Sequence, residues 1–76
     1  MQPITPGTYK HYKGGVYEVI GIGRIEATLE KCVIYKALYE SADFPLGSLW
    51  VRPVDVFCEE VEVDGVLVPR FSRVSE

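Results

Sequence analysis

Seventy-six residues make one domain and leave room for only a small core, because a chain of this length buries only about 60% of its unfolded-state surface. Apolar residues at 47% and charged residues at 25% exclude a disordered chain. A net charge of −3 withholds the basic footprint of a nucleic-acid binder, so nucleic acid is disfavoured as a partner. The charge is uneven: five basic and four acidic side chains up to Glu40, then three basic and seven acidic from Ser41.

The apolar pattern has period two nearly throughout, with β-branched and aromatic residues concentrated where it runs and Gly, Pro or Asp-Gly between the runs. Residues 8–13 form a first strand leading into Gly14-Gly15, and residues 16–22 form a second. A two-glycine turn sets Lys13 opposite Val16, Tyr12 opposite Tyr17 and His11 opposite Glu18. Gly21 and Gly23 signal a bulge or bend at the end of that strand. Residues 24–31 read as a long polar hairpin loop, and residues 32–39 as the strongest strand.

Residues 41–48, with Pro45 and Gly47, read as a loop. Residues 49–52 form a short strand stopped by Pro53, and residues 53–57 a 3₁₀-like turn with proline at its first position. Residues 59–63 and 66–71 flank Asp64-Gly65 as a type I′ hairpin, with Val63 opposite Val66, Val61 opposite Val68 and Glu59 opposite Arg70. The last five residues are expected to fray. The fold expected is all-β: a small SH3-like barrel of five or six short antiparallel strands, spanning residues 1–76 as a single domain.

Several ordered segments carry a resemblance. They are Gly7-Thr8-Tyr9-Lys10-His11-Tyr12-Lys13-Gly14-Gly15, Tyr17-Glu18-Val19, Val33 through Tyr39, Leu49-Trp50-Val51-Arg52-Pro53 and Pro69-Arg70-Phe71. Together they resemble a bacterial family catalogued as domain of unknown function 1653, over almost the whole chain. The resemblance implies a short SH3-like β-barrel and no activity. The chain departs from the family pattern at Arg24-Ile25-Glu26-Ala27-Thr28, where an Arg-His-Ser/Thr-Glu-Thr segment is expected, so no role is carried over to that loop. Ala37-Leu38-Tyr39-Glu40 looks like the opening motif of eukaryotic SH3 domains, but here it closes a mid-chain strand, which argues against proline-peptide binding.

Chemistry has little to work with. His11 is the single histidine, and Cys32 and Cys58 lie in apolar strand-like contexts where thiols are inert. They read as reduced residues of a cytoplasmic protein, not as a disulfide framework. No metal site is expected, since His11 and two scattered cysteines fall short of four zinc ligands. Glu59, Glu60, Glu62 and Asp64 read as a solvated edge. No cofactor, no enzyme and no membrane span are expected.

The interesting residues are aromatic and basic. If Leu49 and Val51 fill the barrel, Trp50 and Arg52 stand on its outer face, the pairing enriched at binding hot spots. His11 and Lys13 share a face beside the first turn, and Tyr35 lies on the central strand with Tyr39. These residues define a non-enzymatic binding or assembly module, taking a protein partner or forming a homo-oligomer. The alternative is nucleotide or single-stranded nucleic-acid binding by aromatic stacking. Catalysis through His11 is a distant third.

Overall fold

The computed structural model describes residues 4–74. Its seven strands run β1 (Gly7–His11), β2 (Val16–Arg24), β3 (Lys31–Ala37), β4 (Leu49–Pro53), β5 (Glu60–Val63), β6 (Val66–Pro69) and β7 (Phe71–Arg73), with α1 (Val54–Phe57) between β4 and β5. One antiparallel sheet has the order β4-β3-β2-β1-β7, and β5 and β6 pair separately. All-β is the right class, but the described residues form seven strands, not five or six, and no closed barrel. The five-stranded sheet ends at β4 on one side and β7 on the other.

The Asp64-Gly65 hairpin is as expected. Val63 faces Val66, Val61 faces Val68, and Arg70 Nη2 lies 2.8 Å from Glu59 Oε1. Both turn residues have positive φ, 52° at Asp64 and 81° at Gly65, as a type I′ turn requires. The bulge signalled by the glycines is also present, as a register shift between Val19 and Gly21. The expected 3₁₀ turn is instead a single α-helical turn. Pro53 caps it, Val54 is its first helical residue, and the Cys58 N–H reaches back to the Val54 carbonyl at 3.0 Å.

Two expectations fail on register. The first hairpin pairs Lys10 with Val16 and Tyr9 with Tyr17, three residues away from the two-glycine turn. The His11 N–H reaches the Gly15 carbonyl at 2.7 Å and the Gly14 N–H returns to the His11 carbonyl at 2.7 Å, so residues 12–15 make a longer turn. The chain end also does not fray where expected. Phe71 and Ser72 pair with His11 and Lys10, and the Val74 N–H donates to the Thr8 carbonyl at 2.9 Å; residues 75 and 76 lie outside the described residues.

The second failure is the parity of β4. Trp50 pairs with Tyr35 and Arg52 with Val33, and directly opposed residues of a ladder share a face. Tyr35 and Val33 are core residues, so Trp50 and Arg52 look inward and are half-buried. Leu49 and Val51 look outward, 64% and 59% exposed. The physical reason is area: the indole removes more apolar surface from water than leucine does, and Phe44 packs edge-on against it at 4.8 Å.

The core is Tyr9, Val19, Val33, Tyr35, Phe57 and Phe71, with Tyr17 and Trp50 packed against it. Phe57, brought over the sheet by α1, stacks on Phe71 at 4.1 Å and 7°. The inward parity predicts opposite responses on one strand. Leu49→Ala should change stability by about 0.5 kcal/mol or less, as at an exposed position. Trp50→Ala should cost roughly 2–4 kcal/mol by lost burial and a cavity. Denaturant unfolding of the two variants measures this, and the reverse order would restore the outward parity.

Candidate functional site

Sheet pairing gathers the cationic residues at one end of the aromatic core. His11 ends β1 opposite Phe71, and its ring lies edge-on to the Phe71 ring at 4.9 Å. Lys13 is in the turn, not in the strand beside His11, and its backbone N–H donates to His11 Nδ1 at 3.1 Å. That bond makes Nδ1 an acceptor, which places the proton of the neutral imidazole on Nε2. Burial, then the positive charges of Arg52, Arg70 and Lys13, hold the His11 pKa below its usual 6.5. A neutral histidine therefore sits amid three cations.

Arg52 enters from β4. Its Nε donates to the Tyr35 hydroxyl at 3.1 Å, and its guanidinium lies 5.7 Å from the Phe71 ring centroid. Among the described residues no carboxylate comes within ion-pair distance of it, and its terminal nitrogens have no hydrogen-bond partner. Arg70 holds Glu59 with one terminal nitrogen, while its buried Nε has no partner.

Three tyrosines complete the cluster. The Tyr17 and Tyr39 hydroxyls are 2.7 Å apart, and the Tyr17 ring lies edge-on to both Tyr35 and Tyr39. Burial first, then the bond to Tyr39, pushes the Tyr17 phenol up to about 12, against a lowering by Arg52. A cleft of about 560 Å³ opens here, lined by His11, Lys13, Gly15, Tyr17, Leu38 and Tyr39. A β-carbon on Gly15 would sit 3.0 Å from the Tyr39 ring, so glycine keeps the floor open. Arg52 and Arg70 do not line this cleft; Arg52 reaches it only through its charge, which lowers the pKa of both His11 and Tyr17.

A larger cleft, about 800 Å³, lies on the other side of the core beside Ile4, Tyr9, Phe57, Cys58 and Arg73. Arg73 Nη1 donates to Thr5 Oγ1 at 2.8 Å and the Pro6 carbonyl at 2.9 Å, and the guanidinium lies over the Tyr9 ring. Burial and the Asp55 charge raise the Cys58 thiol, keeping it protonated. Arg73 thus ties down the segment before β1, and the imidazole and Lys13 lie at the smaller cleft. The smaller cleft is the candidate site.

Of the residues expected from sequence, His11 and Lys13 line the cleft, whereas Arg52 and the buried Tyr35 are bonded to each other against Phe71 and do not line it. Trp50 does not join the His11–Tyr17 wall and is packed under Phe44. Tyr17 was not expected there, nor Arg70 near His11. Arg70 comes near because β7 carries Phe71 against His11, a pairing that no local pattern encodes. Among the described residues no His/Cys/Asp/Glu group could hold a metal ion, and no helix is long and apolar enough to cross a membrane.

An aromatic-cored all-β domain with a cleft edged by His11, Lys13 and two tyrosines is the class these features define. The family described as "Protein of unknown function (DUF1653)" matches residues 7–73, and the chain belongs to that family. The crystal structure of a protein belonging to DUF1653 from Bordetella bronchiseptica is similar, with 36% identity and a TM-score of 0.84, covering 97% of this chain and 91% of that one. No curated protein matches the chain.

The His11 environment makes a pH prediction. Between its folded pKa and 6.5 the unfolded chain binds more protons than the folded one. The stability from keeping His11 neutral is therefore full above pH 6.5 and declines as pH falls through that window. Denaturation midpoints measured across it should drop with acid, and less so in His11→Gln. By NMR titration Arg52→Met should raise the His11 pKa, since one of the lowering charges is gone.

Proposed function

We propose that this protein is a non-enzymatic recognition module that takes an anionic group, carboxylate or phosphate, beside the Phe71 ring, against which His11 and Arg52 both lie. The observation that carries the reading is geometric: His11 meets the Phe71 ring edge-on at 4.9 Å and the Arg52 guanidinium lies 5.7 Å from the same ring centroid, and among the described residues Arg52 makes no ion pair. The Arg52 terminal nitrogens are not buried, so an anion can exchange their water for charge-assisted hydrogen bonds. The neutral His11 adds an Nε2–H donor, and Tyr35 fixes the Arg52 head so that little orientational freedom remains to lose.

Binding is better supported than catalysis. Among the described residues no carboxylate contacts the imidazole to orient it as a base, and the Cys58 thiol is held protonated. The ligand is presented by a protein partner or by a second copy of the chain. Cys32 and Cys58, both free, suit the reducing cytoplasm.

The test is titration with inorganic phosphate and with acetate, followed by NMR at His11, Lys13 and the Arg52 Nε–H. Saturable shifts at these groups are expected, with binding weakening as salt rises. Arg52→Met should weaken it about 10- to 100-fold, the loss expected from charge-assisted hydrogen bonds. Shifts no larger than those from equal sodium chloride would refute the reading. A nucleoside monophosphate that binds far more tightly than phosphate, and broadens the Tyr17 and Tyr39 ring signals, would favour nucleotide stacking instead.

A further inference from the structure

Four strands of this fold have an edge with no strand partner among the described residues: β4 and β7 at the margins of the large sheet, and β5 and β6, which pair only with each other. Folded proteins usually blunt such edges with charge, proline or a bulge. On β4 the outward side chains are the exposed Leu49 and Val51, and the inward ones include Arg52 with its unpaired donors. The margin is apolar on one face and cationic on the other.

The sequence of β5 complements it. Glu60-Val61-Glu62-Val63 alternates acid and valine, and both glutamates are exposed and outside every ion pair of the described residues. Directly opposed residues of an antiparallel ladder share a face. One register satisfies both faces at once. With β5 of a second copy laid along β4, Leu49 lies opposite Val63 of that copy and Val51 opposite its Val61. On the other face Arg52 lies opposite Glu60 of the second copy and diagonal to its Glu62, which is opposite Trp50. Shifting by one residue would place glutamates beside Leu49 and Val51 and lose both matches.

We infer that the chain self-associates head to tail, β4 of one copy pairing antiparallel with β5 of the next. The inference rests on the reading of Arg52 as an anion-seeking residue and names the anion: the glutamates of a second copy. Different surfaces meet in this contact, so it propagates into a ring or a chain and does not stop at a symmetric pair. Of the other two edge strands, β7 carries Ser72 and Arg73, with Arg73 already engaged by Thr5 and Pro6, and β6 (Val66–Pro69) has no charged side chain and ends in proline. Among these four edges only β4 and β5 match each other in both charge and apolarity.

Sedimentation of the full chain from micromolar to millimolar concentration tests this. Species larger than a monomer should grow with concentration and shrink with added salt. The double variant E60K/E62K changes two exposed positions of the hairpin and should keep the wild-type circular dichroism. Its association constant should fall at least tenfold. Its β4 is intact, so adding it to the wild-type chain should cap and shorten the wild-type assemblies. A wild-type chain that stays monomeric at millimolar concentration overturns the inference, as does a double variant that associates as strongly as wild type, the result of β4 pairing with β4. Phosphate titration separates the two readings. E60K/E62K should bind phosphate as wild type does, so a monomeric wild type that still binds phosphate defeats the assembly and leaves the anion-binding reading standing.

Discussion

Phe71 is the residue around which the rest is arranged. Its ring stacks on Phe57, meets Tyr17, Tyr35 and His11 edge-on, and carries the Arg52 guanidinium. Those contacts join β1, β2, β3, β4, β7 and α1 through one side chain. In a chain too short for a thick hydrophobic core, aromatic rings supply the burial, and edge-to-face packing lets several rings share one centre. The functional cluster is thus an extension of the core: the same ring that closes the interior positions the imidazole and the guanidinium.

This arrangement explains how an arginine comes to point inward without a carboxylate. The Arg52 stem covers apolar surface, its planar head lies over the Phe71 ring, and Tyr35 accepts from its Nε. A lysine could bury its stem and donate to Tyr35, but its compact ammonium has no planar face to lay on the ring and holds water more strongly. Neutral partners leave the charge in place. Pairing with a glutamate would have quenched it, as happens to one nitrogen of Arg70.

Legibility in the sequence followed the range of the interactions. The β5–β6 hairpin was readable because Asp64-Gly65 fixes a turn by local stereochemistry and the valines fix the register. The bulge beside Gly21 was readable for the same reason. Gly14-Gly15 misled, because a glycine pair is permitted at a two-residue turn but does not compel one, and the His11–Gly15 bonds define a longer loop. In β4, Leu-Trp-Val-Arg is apolar at three of four positions, so alternation alone left its inward face undecided. Burial chose the indole and the arginine stem, and that choice depends on Tyr35, Val33 and Phe71, residues distant in sequence. The members of the cluster were largely legible; the way they face was not.

Net charge is a poor guide to this surface because charges act over short distances. At physiological ionic strength screening sets in at about 8 Å, so a ligand beside His11 feels Lys13, Arg52 and Arg70 far more than the acids elsewhere. On the sheet's outer face Lys36 neutralises Glu18 at 3.4 Å, while Glu60, Glu62 and Asp64 are carried on the separate two-stranded arm. Topology decides which charges pair: β7 returns to β1 and brings Arg70 beside His11, while β5 carries Glu60 and Glu62 on a hairpin whose Val63 and Val68 line one hollow with His11 and Tyr12. Among the described residues those two glutamates enter no ion pair, so the hairpin comes close to His11 without quenching Arg52.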